Sequence, residues 1–233
     1  YALPAAWRAT FGLRRYGFHG LSHAYASRRA AQLLGTSPER IRIVSCHLGA
    51  GASLAAVRRG QSVDTTMGFT PLEGLVMATR AGNTDPGLLV WLLQDGRLSL
   101  AELSTGLEQR SGLAGLAGQP DVRDVLPRAA AGDPAAILAI DVYLHRLRQL
   151  IAGMAAAMDG LDVLVFTGGI GEHQPPIRAR AVPGFLGAAI DEQRNQAATS
   201  DADISTPGAA VRTLVITARE DIEIARQVRA ALS

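Results

Sequence analysis

The sequence predicts an α/β protein, and three observations carry that reading. Two apolar runs of strand length, residues 43–48 (IVSCHL) and 52–57 (ASLAAV), flank Gly49-Ala50-Gly51. A second strand pattern, residues 162–166 (DVLVF), leads into Thr167-Gly168-Gly169-Ile170-Gly171. Helix patterns with recognisable starts and stops lie before, between and after these segments, so strands and helices alternate along the chain.

In chain order, residues 1–13 are weakly patterned and read as an entry segment. Ser22 is a good N-cap for a helix to about Leu34, stopped by Gly35 and the Thr36-Ser37-Pro38 turn. Residues 43–57 read as a β-hairpin whose glycine tip brings backbone N–H groups close to a ligand. Asp64, Thr65, Thr66, Gly68, Gly74 and Arg80 follow. Hydroxyls, one carboxylate and one guanidinium beside a strand–turn–strand suit a phosphate and metal cradle, although glycine hairpins also serve as ordinary turns.

Asp85-Pro86 predicts an N-cap and N1 proline opening a helix through Leu93, closed by Asp95-Gly96. Ser99 and Glu102 stand at capping-box spacing for a helix toward Gln109. Residues 111–118 (SGLAGLAG) read as a flexible glycine-rich connector. Asp133-Pro134 opens the clearest helix, in which Ile137, Ile140, Leu144, Leu147, Ile151, Met154 and Met158 form a stripe at intervals of three and four. Asp141, His145, Arg146, Arg148 and Gln149 interrupt its apolar character, which makes it a core or interface helix and not a membrane span. After the glycine turn at 167–171, Pro175-Pro176 starts a helix through Arg180, residues 211–216 form a last strand, and 219–232 a last helix.

With 233 residues the chain suits one large domain or two small ones. Apolar residues make up 48% and charged residues 19%, the balance of a folded globular protein. The net charge is +2 despite a pI of about 9.1, and the arginines are scattered, which argues against nucleic acid as a partner. The single cysteine, Cys46, lies inside an apolar strand; a buried structural thiol in a reducing cytoplasm is the reading.

Four stretches carry a family resemblance: residues 14–23 (RRYGFHGLSH), 47–53 (HLGAGAS), 64–86 (DTTMGFTPLEGLVMATRAGNTDP) and 166–173 (FTGGIGEH). In order and spacing they resemble the signature blocks of the acetate kinases, which belong to the superfamily of sugar kinases, actin and the heat-shock ATPases. The resemblance implies an actin-like (ribonuclease H-like) ATPase lobe with a mixed sheet flanked by helices. It begins partway into the family's pattern, at Tyr1, so the expectation is a truncated form lacking the N-terminal lobe. Residues 1–217 would be the C-terminal nucleotide-binding lobe and 218–233 a terminal helix packing toward the absent lobe. The family reaction is ATP plus acetate to ADP plus acetyl phosphate, reversible and dependent on Mg²⁺. A propionate or butyrate kinase, and a non-catalytic nucleotide-binding or dimerisation module, are the alternatives. The resemblance also implies a cytoplasmic homodimer, with the striped helix as a large apolar face. The isolated chain is expected to be inactive.

Residue by residue, the alternatives stay open. His19 and His23 are four apart and could pair on zinc, but Gly20 argues against a helix spanning both and no third ligand is placed. His19 could be a core histidine; the resemblance puts it at the transferring phosphoryl group and leaves His23 a packing residue. Arg80 could be a surface arginine or a partner of Glu73; the resemblance makes it catalytic with His19. Asp121, Val122 and Arg123 could be an ordinary helix start, and by resemblance contact the adenosine part of the nucleotide. His47, Leu48, Gly49, Ala50 and Gly51 would hold phosphate, and Gly169, Ile170, Gly171, Glu172 and His173 would cradle the same nucleotide. Thr217 and Glu220 stand at capping-box spacing, whereas the family's glutamate there holds magnesium. Ala50 stands where the family usually has asparagine, Ala78, Ala81 and Asn83 where it has Gly, Ser and Asp, and His173 where asparagine is common.

Overall fold

The computed structural model describes residues 1–182 and 184–232; Pro183 and Ser233, the latter ending the segment 218–233, lie outside the described residues. The first elements are α1 (Ala5–Phe11), α2 (Gly20–Leu33), β1 (Arg42–Leu48), β2 (Ala52–Arg58) and β3 (Gln61–Thr65). Then come α3 (Pro86–Leu93), α4 (Leu100–Gln109), α5 (Gly112–Ala117), α6 (Val122–Ala130) and α7 (Pro134–Ala157). The last are β4 (Val163–Thr167), α8 (Gly168–His173), α9 (Pro175–Ala181), α10 (Glu192–Ala197), β5 (Ala202–Asp203), β6 (Arg212–Val215) and α11 (Glu220–Leu232). The chain divides into two compact units, one of residues 1–18 and 66–143, the other of residues 19–65 and 144–233.

The second unit holds a six-stranded mixed sheet in the order β3-β2-β1-β4-β6-β5. β1 pairs antiparallel with β2 from Arg42↔Arg58 to Leu48↔Ala52, the hairpin the sequence predicts. β4 adds parallel to β1, with His47 opposite Thr167, and β6 adds parallel to β4. Val44, Cys46, Leu54, Leu164 and Phe166 are fully buried on one face. On the other, Ile43, Ala55, Val57, Val163, Val165 and Leu214 form one cluster with Ala26 and Ala30 of α2. Burial on both faces explains why these strands read as unbroken apolar runs, each large side chain contributing about 1.5–3 kcal/mol. The Cys46 thiol is buried here and its pKa is pushed up, as suits a structural thiol.

Departures from expectation have local causes. β3 is polar and largely exposed, so it carried no strand pattern; it forms because Arg59 (φ 55°) and Gly60 (φ 73°) make a two-residue turn with both φ positive. α2 starts two residues before the expected cap: His19, in the left-handed region (φ 57°, ψ 26°), is its N-cap. Ser22 is buried and bonds His47 instead. The turn expected at 168–171 is itself a helix, α8. Arg178 of α9, fully buried, donates to the carbonyls of Gly171 (3.0 Å) and Glu172 (2.7 Å) and to Asn195 Oδ1 (2.7 Å), tying α8 to α10. The buried Glu223 of α11 pairs with Arg28 of α2 and accepts from Arg226 and Gln227.

In the first unit the caps are as predicted. Asp85 accepts from the Gly87 N–H at 2.8 Å, and Ser99 and Glu102 form a capping box. Residues 111–118 are not a flexible connector. They form α5, with Leu113 buried, and its start is bonded to the loop at 77–80: Ser111, Leu113 and Ala114 donate to the carbonyls of Thr79, Met77 and Ala78. Gly112 (φ 63°) leaves no room for a Cβ against the Met77 carbonyl.

The stripe on α7 is spent inside the protein. Ile140, Leu144, Leu147, Ile151, Met154 and Met158 are buried and only Ile137 of the predicted set is exposed, so α7 is a core helix rather than a free apolar face. Exposed apolar side chains cluster instead on α3: Leu88, Val90, Trp91 and Leu93. Among the described residues no helix is long and apolar enough to cross a membrane.

Candidate functional site

The face of the sheet toward α2 changes character along β1. Ile43 lies opposite Val57 and Ser45 opposite Ala55, but His47 lies opposite Ser53, so the apolar cluster passes into a polar end. Over that end α2 places Ser22 and His23, and its cap places His19. The His19 ring stacks on His47, centroids 4.3 Å apart and 21° between planes, and His23 lies 6.5 Å from His19 and 6.3 Å from His47.

Serine hydroxyls hold all three rings. Ser22 Oγ meets His47 Nδ1 at 2.8 Å, and Ser45 Oγ meets His23 Nδ1 at 3.0 Å. Ser53 Oγ meets both His19 Nδ1, at 2.9 Å, and His23 Nε2, at 2.8 Å. Burial first, and then the neighbouring rings, lower the pKa of His23 to about 3 and of His47 to about 4, so both are neutral near pH 7. Both ring nitrogens of His23 meet serine hydroxyls, and among the described residues no three His, Cys, Asp or Glu side chains group as metal ligands. In the sequence Ser22 reads only as a helix cap, and Ser45 and Ser53 carry no reading of their own. The available signal was alternation: Ser45 and His47 are polar residues two apart in an apolar strand, hence on one face.

Two glycine turns leave the sheet side by side, because β1 and β4 are parallel neighbours. After Leu48 comes the tight turn in which the Gly49 N–H bonds the Gly51 carbonyl at 3.1 Å. After Thr167, Gly168 (φ 78°) starts α8 against the Leu48 backbone, where a Cβ would stand 2.8 Å from the Leu48 carbonyl oxygen. The Thr167 hydroxyl is buried with no hydrogen-bond partner, the kind of group that calls for an explanation. Glu172 does not face outward: its Oε1 accepts from the Gly168 N–H (2.8 Å) and the Ala218 N–H (3.0 Å), tying the exit of β6 to the start of α8. Glu220 follows two residues after that tie and is exposed, as is His173. Leu48 and Gly171 are buried, while Ala50 and Gly169 are exposed at the two turns.

The remaining predicted residues belong to the first unit. Arg80 is half-buried and donates to the Pro71 carbonyl at 3.1 Å. Glu73 is not its partner, because Arg15 (2.6 Å) and Tyr1 (2.8 Å) already occupy that carboxylate. The clamp from α5 fixes the backbone on which Arg80 sits. Asp121 is the N-cap of α6; the Arg123 side chain and backbone both bond it and hold its carboxyl down to about 2. Val122 is buried.

No described site offers a cage for Mg²⁺. Glu220, an exposed carboxylate in the acidic first turn of α11, fits the usual mode for this ion, one or two carboxylates with substrate phosphates and water completing the shell.

Residues 1–226 match the model of the acetokinase family. The chain is 50% identical over 230 residues to an acetate kinase of Gloeobacter violaceus, covering 97% of this chain and 56% of that protein. It superposes on the crystal structure of Porphyromonas gingivalis acetate kinase with a TM-score of 0.95 at 38% identity, covering 100% of this chain and 59% of the other. On a propionate kinase from Francisella tularensis the TM-score is 0.90, also at 38% identity, covering 97% and 58%. The chain therefore spans a little over half the length of the relatives it matches.

Proposed function

The chain belongs to the acetokinase family, and on that premise we propose that it is the nucleotide-binding part of a kinase that moves a phosphoryl group reversibly between ATP and acetate. The observation that carries this reading is the pair of glycine turns leaving adjacent strands beside a cluster of three histidines. Ligands of open α/β sheets gather outside the carboxyl ends of such strands, where backbone N–H groups meet phosphate at no side-chain cost. The turn at Gly49–Gly51 would hold phosphate with His47 behind it, and residues 169–173 would cradle the nucleotide. The orphaned Thr167 hydroxyl, in register with His47, supports a polar group arriving there.

Phosphoryl transfer asks the protein mainly for in-line positioning and for neutralising charge on the phosphoryl oxygens. His19 is suited to this because its ring is held by stacking and by Ser53 before substrate arrives. Arg80 is assigned the same role on the family's pattern alone, where a planar permanent cation suits charge spread over three oxygens. Asp121, Val122 and Arg123 are assigned the adenosine contact on the same basis. Glu220 would hold Mg²⁺ together with the nucleotide's phosphates, and the ion when bound would offset part of their charge.

A propionate or butyrate kinase is the second reading, favoured by equal identity to the solved acetate and propionate kinases. A non-catalytic nucleotide-binding or dimerisation module is the third. Residues 1–217 are proposed as the nucleotide-binding lobe in a cytoplasmic homodimer. The apolar side chains of α3 are better suited to pairing than α7, and the exposed Ile222, Ile224 and Val228 of α11 suit a packing partner outside this chain.

The test is kinetic. In a form carrying both lobes, Arg80→Ala and His19→Ala should lower kcat on the order of a hundredfold with smaller changes in nucleotide KM. Arg80→Lys should rescue little, since a point ammonium lacks the fixed fork. Unchanged kcat in both alanine variants would remove these residues from the mechanism, and acetyl phosphate formation by the present chain alone would overturn the partial-enzyme reading.

A further inference from the structure

The Ser53 hydroxyl lies between two imidazoles, 2.9 Å from His19 Nδ1 and 2.8 Å from His23 Nε2, and Ser45 Oγ lies 3.0 Å from His23 Nδ1. Ser45, His23 and Ser53 are all buried. A serine hydroxyl has one proton to donate, and a neutral imidazole has one N–H and one acceptor nitrogen. With both rings neutral and the Ser53 proton itself used inside this network, the four groups can satisfy one another in only two orders. In the first, Ser45 donates to His23 Nδ1, His23 Nε2–H donates to Ser53, and Ser53 donates to His19 Nδ1. The His19 proton then sits on Nε2. In the second every bond is reversed, and His19 donates from Nδ1 to Ser53.

We propose that the Ser45–His23–Ser53 chain is a positioning relay that fixes which ring nitrogen of His19 carries the proton. The meaning of the relay for phosphoryl transfer rests on the role given to His19 above; the relay itself rests on these distances. His23 is then a positioning residue and not only a packing one, and Ser45 acts on His19 through two intervening groups. Because Ser45, His23 and Ser53 are shielded from water, a change at the Ser45 end has to be answered along the chain rather than by solvent.

The experiment uses the 233-residue chain with nitrogen-15-labelled histidines, whose Nδ1 and Nε2 shifts at neutral pH read the tautomer of each ring. Ser45→Ala, which removes no atom that touches His19, should shift the His19 tautomer ratio by about fivefold, the population that one hydrogen bond of ordinary net strength can hold. With the link already cut by Ser53→Ala, adding Ser45→Ala should move His19 no further. An unmoved His19 in Ser45→Ala overturns the relay, and so does an undiminished Ser45→Ala effect in the Ser53→Ala background. If Ser53→Ala does not fold, Ser45→Ala alone decides. Adding ADP to the unsubstituted chain and following its melting temperature tests the nucleotide reading separately. Coupled rings with no ADP shift overturn that reading and leave the relay standing; an ADP shift with uncoupled rings does the reverse.

Discussion

The turns after β1 and β4 look alike in sequence, but the fold needs only one of them to be glycine. Gly168 has a φ of 78°, and a Cβ there would stand 2.8 Å from the Leu48 carbonyl oxygen. Gly49 is different: a Cβ on it would meet nothing closer than the Gly51 carbonyl at 3.4 Å, an ordinary contact, and one on Gly169 would meet nothing within 4 Å. Gly168 is thus required by the folded chain itself. Gly49 and Gly169 are not, and on the proposed nucleotide reading close approach of a ligand is what would call for glycine there. A glycine loop is a functional signal only where the protein's own packing does not already demand the glycine.

The largest expected effect tests the packing side of that contrast. Gly168→Ala combines left-handed backbone with a backbone clash and should cost about 3 kcal/mol or more, read as a fall in the urea midpoint. A cost under about 1 kcal/mol would place Gly168 with Gly49 and Gly169, which the fold does not require to be glycine. Next, Arg178→Met should cost about 2–4 kcal/mol, because it strips the carbonyls of Gly171 and Glu172 and the Asn195 side chain of a buried donor. This should loosen the α8 turn and not the hairpin turn, as hydrogen exchange at the two would resolve.

The hairpin side should instead be the acid-sensitive one. His23 and His47 have folded pKa values of about 3 and 4, below the ordinary 6.5. Between those values the unfolded chain binds protons that the folded chain does not, so stability present above about pH 6.5 is lost as pH falls. The slope should reach about 1.4 kcal/mol per pH unit per ring between roughly pH 6 and 4. His23→Asn should flatten part of that slope; an unchanged slope would mean that His23 is not buried neutral.

The smallest effect on stability is the most informative about function. Gly49→Ala and Gly169→Ala should each change stability by less than about 1 kcal/mol. Each should nevertheless abolish the rise in melting temperature that millimolar ADP gives the unsubstituted chain. Retention of that rise in both variants would dissolve the distinction between the two kinds of glycine.

Local chemistry was legible in the sequence. Asp85 before Pro86, Ser99 three before Glu102, and the apolar runs around Gly49 each specify an element with near neighbours only, and each element is present. What stayed hidden depends on partners far along the chain. The segment at 111–118 reads as slack until the loop at 77–80 is there to bond its amides. Arg178 looks like a surface arginine until Asn195 and two carbonyls surround it. His19 and His23 read as a pair and His47 as a separate residue, yet the stacking of His19 on His47 and the sharing of Ser53 follow from strand register against α2, which no spacing in the sequence encodes.

The parallel pairing of β1 with β4 also governs how the protein comes to be folded. Ile43 meets Val163 only after residues 66–143, most of the other unit, have been made. The hairpin can form within microseconds of its own synthesis, whereas the parallel ladder has to close a long loop before any of its contacts is gained. During that interval β1 has an unpaired apolar edge, so a nascent or refolding chain is most prone to aggregate then. That edge stays open at least until β4 has been made and the loop of residues 66–143 has closed.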